Sequence, residues 1–247
     1  MQIGLAQRLR DGTQPLHSHT ERAGIMPALL RGTLPAVGFH HLQRNLHVVY
    51  AALEPALQHH ANHPALAPLH QPVLARSSAL GQDLADLHGP DWANALPVLP
   101  AASVYADRLQ HLAQHDPVGL AAHAYVRYLG DLAGGQALGR VVRQAYGLTG
   151  QAGTRFFDFG STEQVKALAR QFRSGLDSLP LAPAQVDALV QEAQWAFGQH
   201  ARLFEALVAS TNAATPSAAT ATPTAAPQPS SAKQLPDAGV QRGGALG

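Results

Sequence analysis

Three glycines interrupt a run of helix-forming residues at positions 125–136, whose sequence is YVRYLGDLAGGQ. A glycine inside a helix costs about 1 kcal/mol relative to alanine, so local stability does not explain their presence. Gly130 and Gly134 are four residues apart and therefore share one helical face, where they leave a shallow trough of bare backbone. Asp131 adds a carboxylate beside this trough. The pattern predicts that a flat partner lies against the main chain here.

Glycines at this spacing also allow a second helix to pack closely, and that is the usual interpretation of a Gly-x-x-x-Gly motif alone. Here the motif is accompanied by an acid, by a further adjacent glycine and by polar residues on the same turns, namely Tyr125, Arg127 and Gln136. The combination favours a ligand-binding face over simple helix packing.

His17 is a second candidate for chemistry because Glu21 follows it by four residues, one helical turn. A histidine that binds a metal usually donates its far N–H to an acceptor of this kind, which fixes its tautomer. A His/Glu pair taken alone is more often a solvated pair on a helix surface. The chain has 14 histidines, and most of the others fall near predicted helix ends or polar faces, so no structural zinc site is expected.

Composition narrows the functional classes. The 247 residues are 46% hydrophobic, which is enough for a buried core, and the formal charge of +1 without any Lys/Arg run gives no reason to expect nucleic-acid binding. The chain has no cysteine, as is common in a reducing cytoplasm. No segment has the apolar length of a signal peptide or of a bilayer span. We therefore expect a cytoplasmic protein without a membrane anchor.

Apolar residues recur at spacings of three and four through residues 36–57, 74–87, 104–112, 162–178 and 183–208, which predicts helices. A further helix, which carries the glycines, is predicted from Asp116 to about Tyr146, and no pair of alternating strands competes with this interpretation. We expect one all-α domain of about eight helices over residues 1–209. Residues 210–247 are rich in Ala, Pro and Thr and are predicted to be a disordered tail.

The segment 122–136, together with residues 10–13 and 17–21, resembles the biliverdin-producing heme oxygenases of the soluble bacterial type. The resemblance continues through residues 45–50, 80–84, 156–159 and 173–179 to 204–207, and only the tail falls outside it. It implies a multihelical domain that holds heme b, as substrate and prosthetic group, between a proximal helix and a glycine-rich distal helix.

The resemblance also implies roles for the His17/Glu21 pair and for the glycines of the trough. His17 would be the proximal ligand of the heme iron, with Glu21 as its partner. The backbone at Gly130 and Gly134 would touch the porphyrin.

For the catalytic side of the heme, the resemblance implies that Asp131 holds an ordered water next to the bound oxygen. Tyr50 and Arg127 would complete this network.

The heme propionates need cations at the mouth of the pocket. The matching family positions are Arg10 and Arg173, with Tyr125 beside them. Arg170 is a further candidate, although an exposed helix charge is the better interpretation of it.

The activity implied is oxidative cleavage of heme to biliverdin with release of ferrous iron and carbon monoxide. The reaction would use O2 and electrons from a ferredoxin or a flavin reductase. The protein is expected to act as a monomer. A heme carrier or sensor without turnover is the alternative, and Asp131 argues against it because a carrier has no use for a polar distal network. A helical relative that binds no heme is a third interpretation.

Three positions depart from the family pattern. Pro15 lies two residues before His17, so the proximal helix is expected to start or kink there. Ala133 stands where many members have serine. His200 occupies a position often held by asparagine, and we expect no clear consequence for the chemistry.

Overall fold

The computed structural model describes residues 3–214, and within that range all regular structure is helical, with no strand. The predicted all-α fold class is confirmed. A π turn, Tyr125–Leu129, and four short 3-10 turns accompany ten α-helices in this part of the chain. The 3-10 turns are Ala67–Leu69, Pro72–Leu74, Pro117–Gly119 and Arg155–Phe157. The α-helices are α1 Leu5–Thr20, α2 Met26–Leu30, α3 Ala36–His59, α4 Ser77–His88, α5 Trp92–Ala95, α6 Pro100–His115, α7 Leu120–Ala124, α8 Gly130–Tyr146, α9 Thr162–Asp177 and α10 Pro183–Ala214.

The apolar spacing located every long helix after α1, whereas α2 and α5 went unpredicted. These two have five and four residues, too few to show a helical period. The helix predicted to begin at Asp116–Pro117 is divided into a 3-10 turn, α7, the π turn and α8. The count of helices is therefore higher than eight, although the positions agree.

The helix start expected at Pro15 is wrong. Helix α1 begins at Leu5 and continues through Pro15 to Thr20. Proline lacks an N–H and leaves the carbonyl of Asp11, four residues earlier, without its helical partner. Both residues are exposed, so water can bond to that carbonyl, and the helix continues.

The domain end expected at residue 209 falls inside α10, which continues to Ala214. Ser210 Oγ lies 2.6 Å from His41 Nδ1 on α3, and Thr211 is buried. The Ala, Ser and Thr residues of this last turn resemble the tail in composition, which hid them from the sequence pattern. The rest of the predicted tail, residues 215–247, lies outside the described residues.

Helix α3 lies at the centre of the domain, where it packs against α4, α6 and α10. Its buried apolar residues follow the helical period and form one continuous stripe. Burial of that stripe is the main stabilising contribution of the helix. The stripe comprises Phe39, Leu42, Leu46, Val49, Tyr50, Leu53 and Leu57.

Helix α1 is anchored at both ends. At its start, Asp177 Oδ1 at the end of α9 accepts a hydrogen bond of 2.8 Å from the Ala6 N–H. Beyond its other end, Gly24 has φ +49°, and a Cβ there would lie 1.9 Å from the carbonyl oxygen of Phe204 on α10. Only glycine fits such an approach, so α1 is fixed against α9 and α10.

Asp83 on α4 holds the phenylalanine-rich turn that follows α8. Its carboxylate accepts the backbone N–H groups of Arg155 at 2.9 Å and of Phe156 at 2.8 Å. Burial raises the pKa of Asp83, and these hydrogen bonds oppose that shift. The turn thereby has a fixed position behind α8.

We predict that Asp177→Ala lowers the free energy of unfolding by about 1 kcal/mol, because the first turn of α1 loses its acceptor. The melting temperature should fall by about 2–4 °C, the scale for a domain of this size. Asp187→Ala is the control, since its carboxylate only pairs with Arg8 on the surface, and exposed pairs contribute little. Equal melting temperatures for the two variants would contradict the anchoring role.

Candidate functional site

A cavity of about 950 Å³ is lined by α1, by the π turn and by the first half of α8. Helices α2, α3, α9 and α10 and the phenylalanine-rich turn complete its walls. All the predicted site residues except Tyr50 line this one cavity. They are Arg10, His17, Glu21, Tyr125, Arg127, Gly130, Asp131, Gly134 and Arg173.

The glycine trough opens into the cavity. A Cβ added at Gly130 or at Gly134 would meet nothing within 4 Å. Neither glycine is therefore needed for close packing against another part of the described chain. The open backbone agrees with a face that receives a flat ligand.

The packing interpretation holds instead for a different glycine of α8. A Cβ at Gly139 would lie 2.9 Å from Phe157 Cβ, closer than side chains tolerate. At Gly135 the same test finds the Phe157 carbonyl oxygen at 3.5 Å, which is ordinary contact. Helix α8 thus packs on the phenylalanine-rich turn at Gly135 and Gly139, and it leaves open backbone toward the cavity at Gly130 and Gly134.

On α1, the His17 side chain is 49% exposed and lies edge-on to the ring of Phe197 on α10, with centroids 5.7 Å apart. Its Nδ1 is 3.8 Å from Glu21 Oε1. That distance is too long for a hydrogen bond. Glu21 lies near the imidazole as predicted from the spacing, but it does not fix the tautomer through a bond in this structure.

A hydrogen-bonded network lies beside the trough. Arg127 Nη2 donates to Asp131 Oδ1 and Arg127 Nε donates to the Tyr50 hydroxyl, both at 2.9 Å. The Tyr50 hydroxyl in turn donates to Asp131 Oδ2. Tyr50 is completely buried behind the cavity wall, so it supports Asp131 from the side away from the cavity.

The π turn brings this network together. Wider helical turns of this type frequently occur at functional sites. Tyr125 and Arg127 lie within the π turn, and Asp131 follows it on the first turn of α8. No signal in the sequence predicted the change from α to π geometry.

The network fixes the charges of its members. Burial raises the pKa of Tyr50 well above its ordinary value, so the hydroxyl stays protonated as a donor. Burial is the largest single influence on the pKa of Arg127 and lowers it, but Asp131, Tyr50 and Tyr105 together oppose it and the net direction is upward. Burial raises the pKa of Asp131, while Arg127 and Tyr50 oppose the shift by stabilising the ionised carboxylate. The two donors therefore hold one acceptor at the cavity.

Two cations and a phenol lie at the rim of the cavity. Arg10 on α1 and Arg173 on α9 are both exposed there, and Tyr125 is half-buried with its hydroxyl 3.4 Å from Thr13 Oγ1. Burial raises the pKa of Tyr125, and the hydrogen bond with Thr13 and the charges of the two arginines oppose this. Arg170 is not among the lining residues and stays an exposed helix charge.

His200 and Gln43 are two of the polar lining residues for which no role was predicted. His200 is buried on α10, with Nε2 2.9 Å from Arg127 Nη1. Gln43 on α3 is also buried, and its Oε1 has no hydrogen-bond partner in the described structure. His200 lies 73 residues from Arg127, and the Gln43 amide donates to the Gly153 carbonyl, 110 residues away, so spacing could not have linked either residue to the site.

Within residues 3–214, no group of three or more His, Cys, Asp or Glu side chains is arranged to hold a metal ion. None of the helices in that range is long and apolar enough to cross a bilayer.

Comparison with known proteins gives a consistent result. The family model for heme oxygenase matches residues 3–206. The heme oxygenase of Porphyra purpurea is 38% identical over 210 residues, which cover 85% of this chain and 89% of that protein. The crystal structure of heme oxygenase-1 from the cyanobacterium Synechocystis sp. in complex with heme matches with a TM-score of 0.80 at 33% identity, over 86% of this chain and 96% of that one. Heme oxygenase-2 of Synechocystis sp., in complex with heme and NO, gives a TM-score of 0.82 at 35% identity, over 86% and 88%.

We predict opposite effects of alanine at two glycines of α8. Gly134→Ala should raise the free energy of unfolding of the ligand-free protein by about 0.5–1 kcal/mol, because the methyl group enters open space and the helix gains propensity. Gly139→Ala should lower it by about 1–3 kcal/mol, because the methyl group overlaps Phe157. Urea denaturation of the ligand-free variants measures both, and a loss of stability in Gly134→Ala would mean that the trough is packed.

Proposed function

Because the chain belongs to the heme oxygenase family, we propose that it cleaves heme to biliverdin and releases ferrous iron and carbon monoxide. The observation that carries this proposal is a single cavity that combines a half-exposed imidazole, a side-chain-free stretch of helix and a buried carboxylate network. A volume of about 950 Å³ is at the upper end of ordinary ligand sites, as a large planar substrate requires.

The residues of the cavity fit heme. His17 offers a nitrogen ligand for the iron, and Glu21 adds negative charge within 3.8 Å of its ring. The open backbone at Gly130 and Gly134 lets the porphyrin plane approach the main chain, where any side chain would hold it away. When bound, heme supplies both the iron that activates O2 and the porphyrin edge that is oxidised.

Arg10, Arg173 and Tyr125 fit the propionate end of the substrate. The two guanidinium groups pair with carboxylates, and the Tyr125 hydroxyl adds a donor between helices α1 and α8. Because these groups lie at the rim, they set the rotation of the substrate within the cavity. That rotation determines which edge faces the Asp131 side.

The carboxylate network accounts for the direction of the chemistry. Asp131 keeps acceptor capacity beyond its bonds to Arg127 and Tyr50, so it can orient a water molecule in the cavity. Neither donor releases its own proton readily, because both have raised pKa values. The network therefore positions a water instead of acting as a strong acid. This suits an enzyme in which the heme that activates O2 is also the molecule that is oxidised.

The proposed reaction also needs an electron donor. We expect a ferredoxin or a flavin reductase, since the reaction consumes electrons that the chain cannot supply. Such donors are acidic, and Arg10 on α1 and Arg22 just after it are exposed. Arg8 is less available because it pairs with Asp187 at 2.6 Å. The monomeric state and the cytoplasmic location stay predictions.

The test is to add hemin to the purified protein and then to supply O2 and a reductant while recording the spectrum. A Soret band that disappears as a broad red absorbance grows supports the oxygenase. A Soret band that persists identifies a carrier or sensor, and no Soret band at all identifies a relative that does not bind heme.

We predict that His17→Ala loses most turnover, by at least about a hundredfold, because the iron loses its protein ligand while the cavity still holds some heme. The assay is biliverdin formation under the same reductant and oxygen supply. His19→Ala is the control, since that side chain does not line the cavity. Unchanged biliverdin formation in His17→Ala would refute the ligand assignment.

We predict that Asp131→Asn lowers the biliverdin yield by at least about tenfold, because an amide in place of the carboxylate no longer accepts from both Arg127 and Tyr50. Hemin affinity, measured by titration of the Soret band, should change by less than about threefold, since Asp131 is not a ligand of the substrate. Asp116→Asn, outside the cavity, is the matched control. A normal yield from Asp131→Asn would exclude the carboxylate from the chemistry.

A further inference from the structure

His200 is a buried imidazole whose two nitrogens have different partners. Its Nδ1 lies 2.9 Å from the Ala196 carbonyl oxygen, and its Nε2 lies 2.9 Å from Arg127 Nη1. A guanidinium can only donate, so Nε2 must accept and Nδ1 must carry the proton that goes to Ala196. The geometry therefore requires one neutral tautomer.

The surroundings of His200 favour that neutral form. The Arg127 cation approaches from the π turn, Tyr105 on α6 lies edge-on with ring centroids 5.0 Å apart, and His123 faces it from α7. His123 is itself bonded to Glu192 on α10 at 2.9 Å. Burial first, and the Arg127 charge second, lower the pKa of His200 well below its ordinary value.

The bond to His200 completes the set of acceptors around Arg127. The guanidinium donates through Nε to Tyr50, through Nη2 to Asp131 and through Nη1 to His200, each at 2.9 Å. With only the first two acceptors, Nη1 would be unpaired in a side chain that is 11% exposed. An unpaired buried donor is costly, and rotation of the guanidinium would relieve it at the expense of the bonds to Asp131.

We propose that His200 is a positioning residue, whose neutral Nε2 fixes the Arg127 guanidinium and through it the Asp131 carboxylate at the cavity. The inference rests on the proposed function only for its effect on turnover, because the hydrogen bond itself exists in the ligand-free protein. His200 touches neither the trough nor His17 in the described contacts, so its influence passes through Arg127.

The first experiment uses ligand-free protein labelled with nitrogen-15. Imidazole nitrogen shifts of wild type should show His200 protonated at Nδ1 and unprotonated at Nε2. The reverse tautomer, or a doubly protonated ring at neutral pH, overturns the proposal. This measurement needs no variant and is independent of heme.

The second experiment compares two replacements. His200→Phe keeps a ring but removes the acceptor, whereas the amide oxygen of His200→Gln can reach the position of Nε2. Exchange of the Arg127 Nη1 protons with water should become at least about tenfold faster in His200→Phe and remain near the wild-type rate in His200→Gln. Equal exchange in the two variants overturns the proposal. His111→Phe, an exposed position on α6, is the control.

The third measurement is turnover with hemin. Biliverdin formation should fall about tenfold in His200→Phe and recover to within about threefold of wild type in His200→Gln, with little change in hemin affinity. Wild-type turnover in His200→Phe overturns the positioning role. Absence of biliverdin from the wild type itself would count against the proposed function, while the tautomer and exchange results would still decide the role of His200.

Discussion

The guanidinium of Arg127 joins the helices on which the candidate site depends. It donates to Tyr50 on α3, to Asp131 on α8 and to His200 on α10, each at 2.9 Å. A largely buried cation is tolerated only when its donors find acceptors, so these three side chains and the helices that carry them keep one arrangement. Asp131 is consequently presented to the cavity by groups that come from three other parts of the chain, namely α3, the π turn and α10.

The glycines of α8 serve two different purposes, close packing against a neighbouring segment and open backbone toward the cavity. Gly139 gives up its side chain so that the helix can approach Phe157, which is the usual reason for small residues at an interface. Gly130 and Gly134 have no such neighbour and leave backbone open to the cavity. Stability alone would favour alanine at the open positions. Their presence therefore lowers the stability of the helix without a gain in packing, and what they provide is open backbone toward the cavity.

The sequence predicted the parts of the site that are local. Gly130, Gly134 and Asp131 share consecutive turns, and a four-residue spacing brings Glu21 near His17, so helical periodicity was sufficient. His200 lies 73 residues from Arg127 along the chain, and no periodicity relates the two. The end of the domain could not be predicted for the same reason. The last turn of α10 has the composition of the tail, and only the contact of that turn with α3 shows that it belongs to the domain.

The part of the cavity around His17 is organised differently from the Arg127 network. The imidazole of His17 is half-exposed, and its contact with Glu21 at 3.8 Å is too long to orient it. Its position comes instead from the backbone of α1, which Asp177 caps at one end and the turn at Gly24 fixes against α10 at the other. A ligand that binds to the His17 imidazole therefore meets a helix of defined position and a ring that can still adjust its orientation. The carboxylate of Asp131 is thus held in one arrangement by its hydrogen bonds, whereas the His17 ring has no hydrogen bond to Glu21 and keeps freedom to turn on a fixed helix.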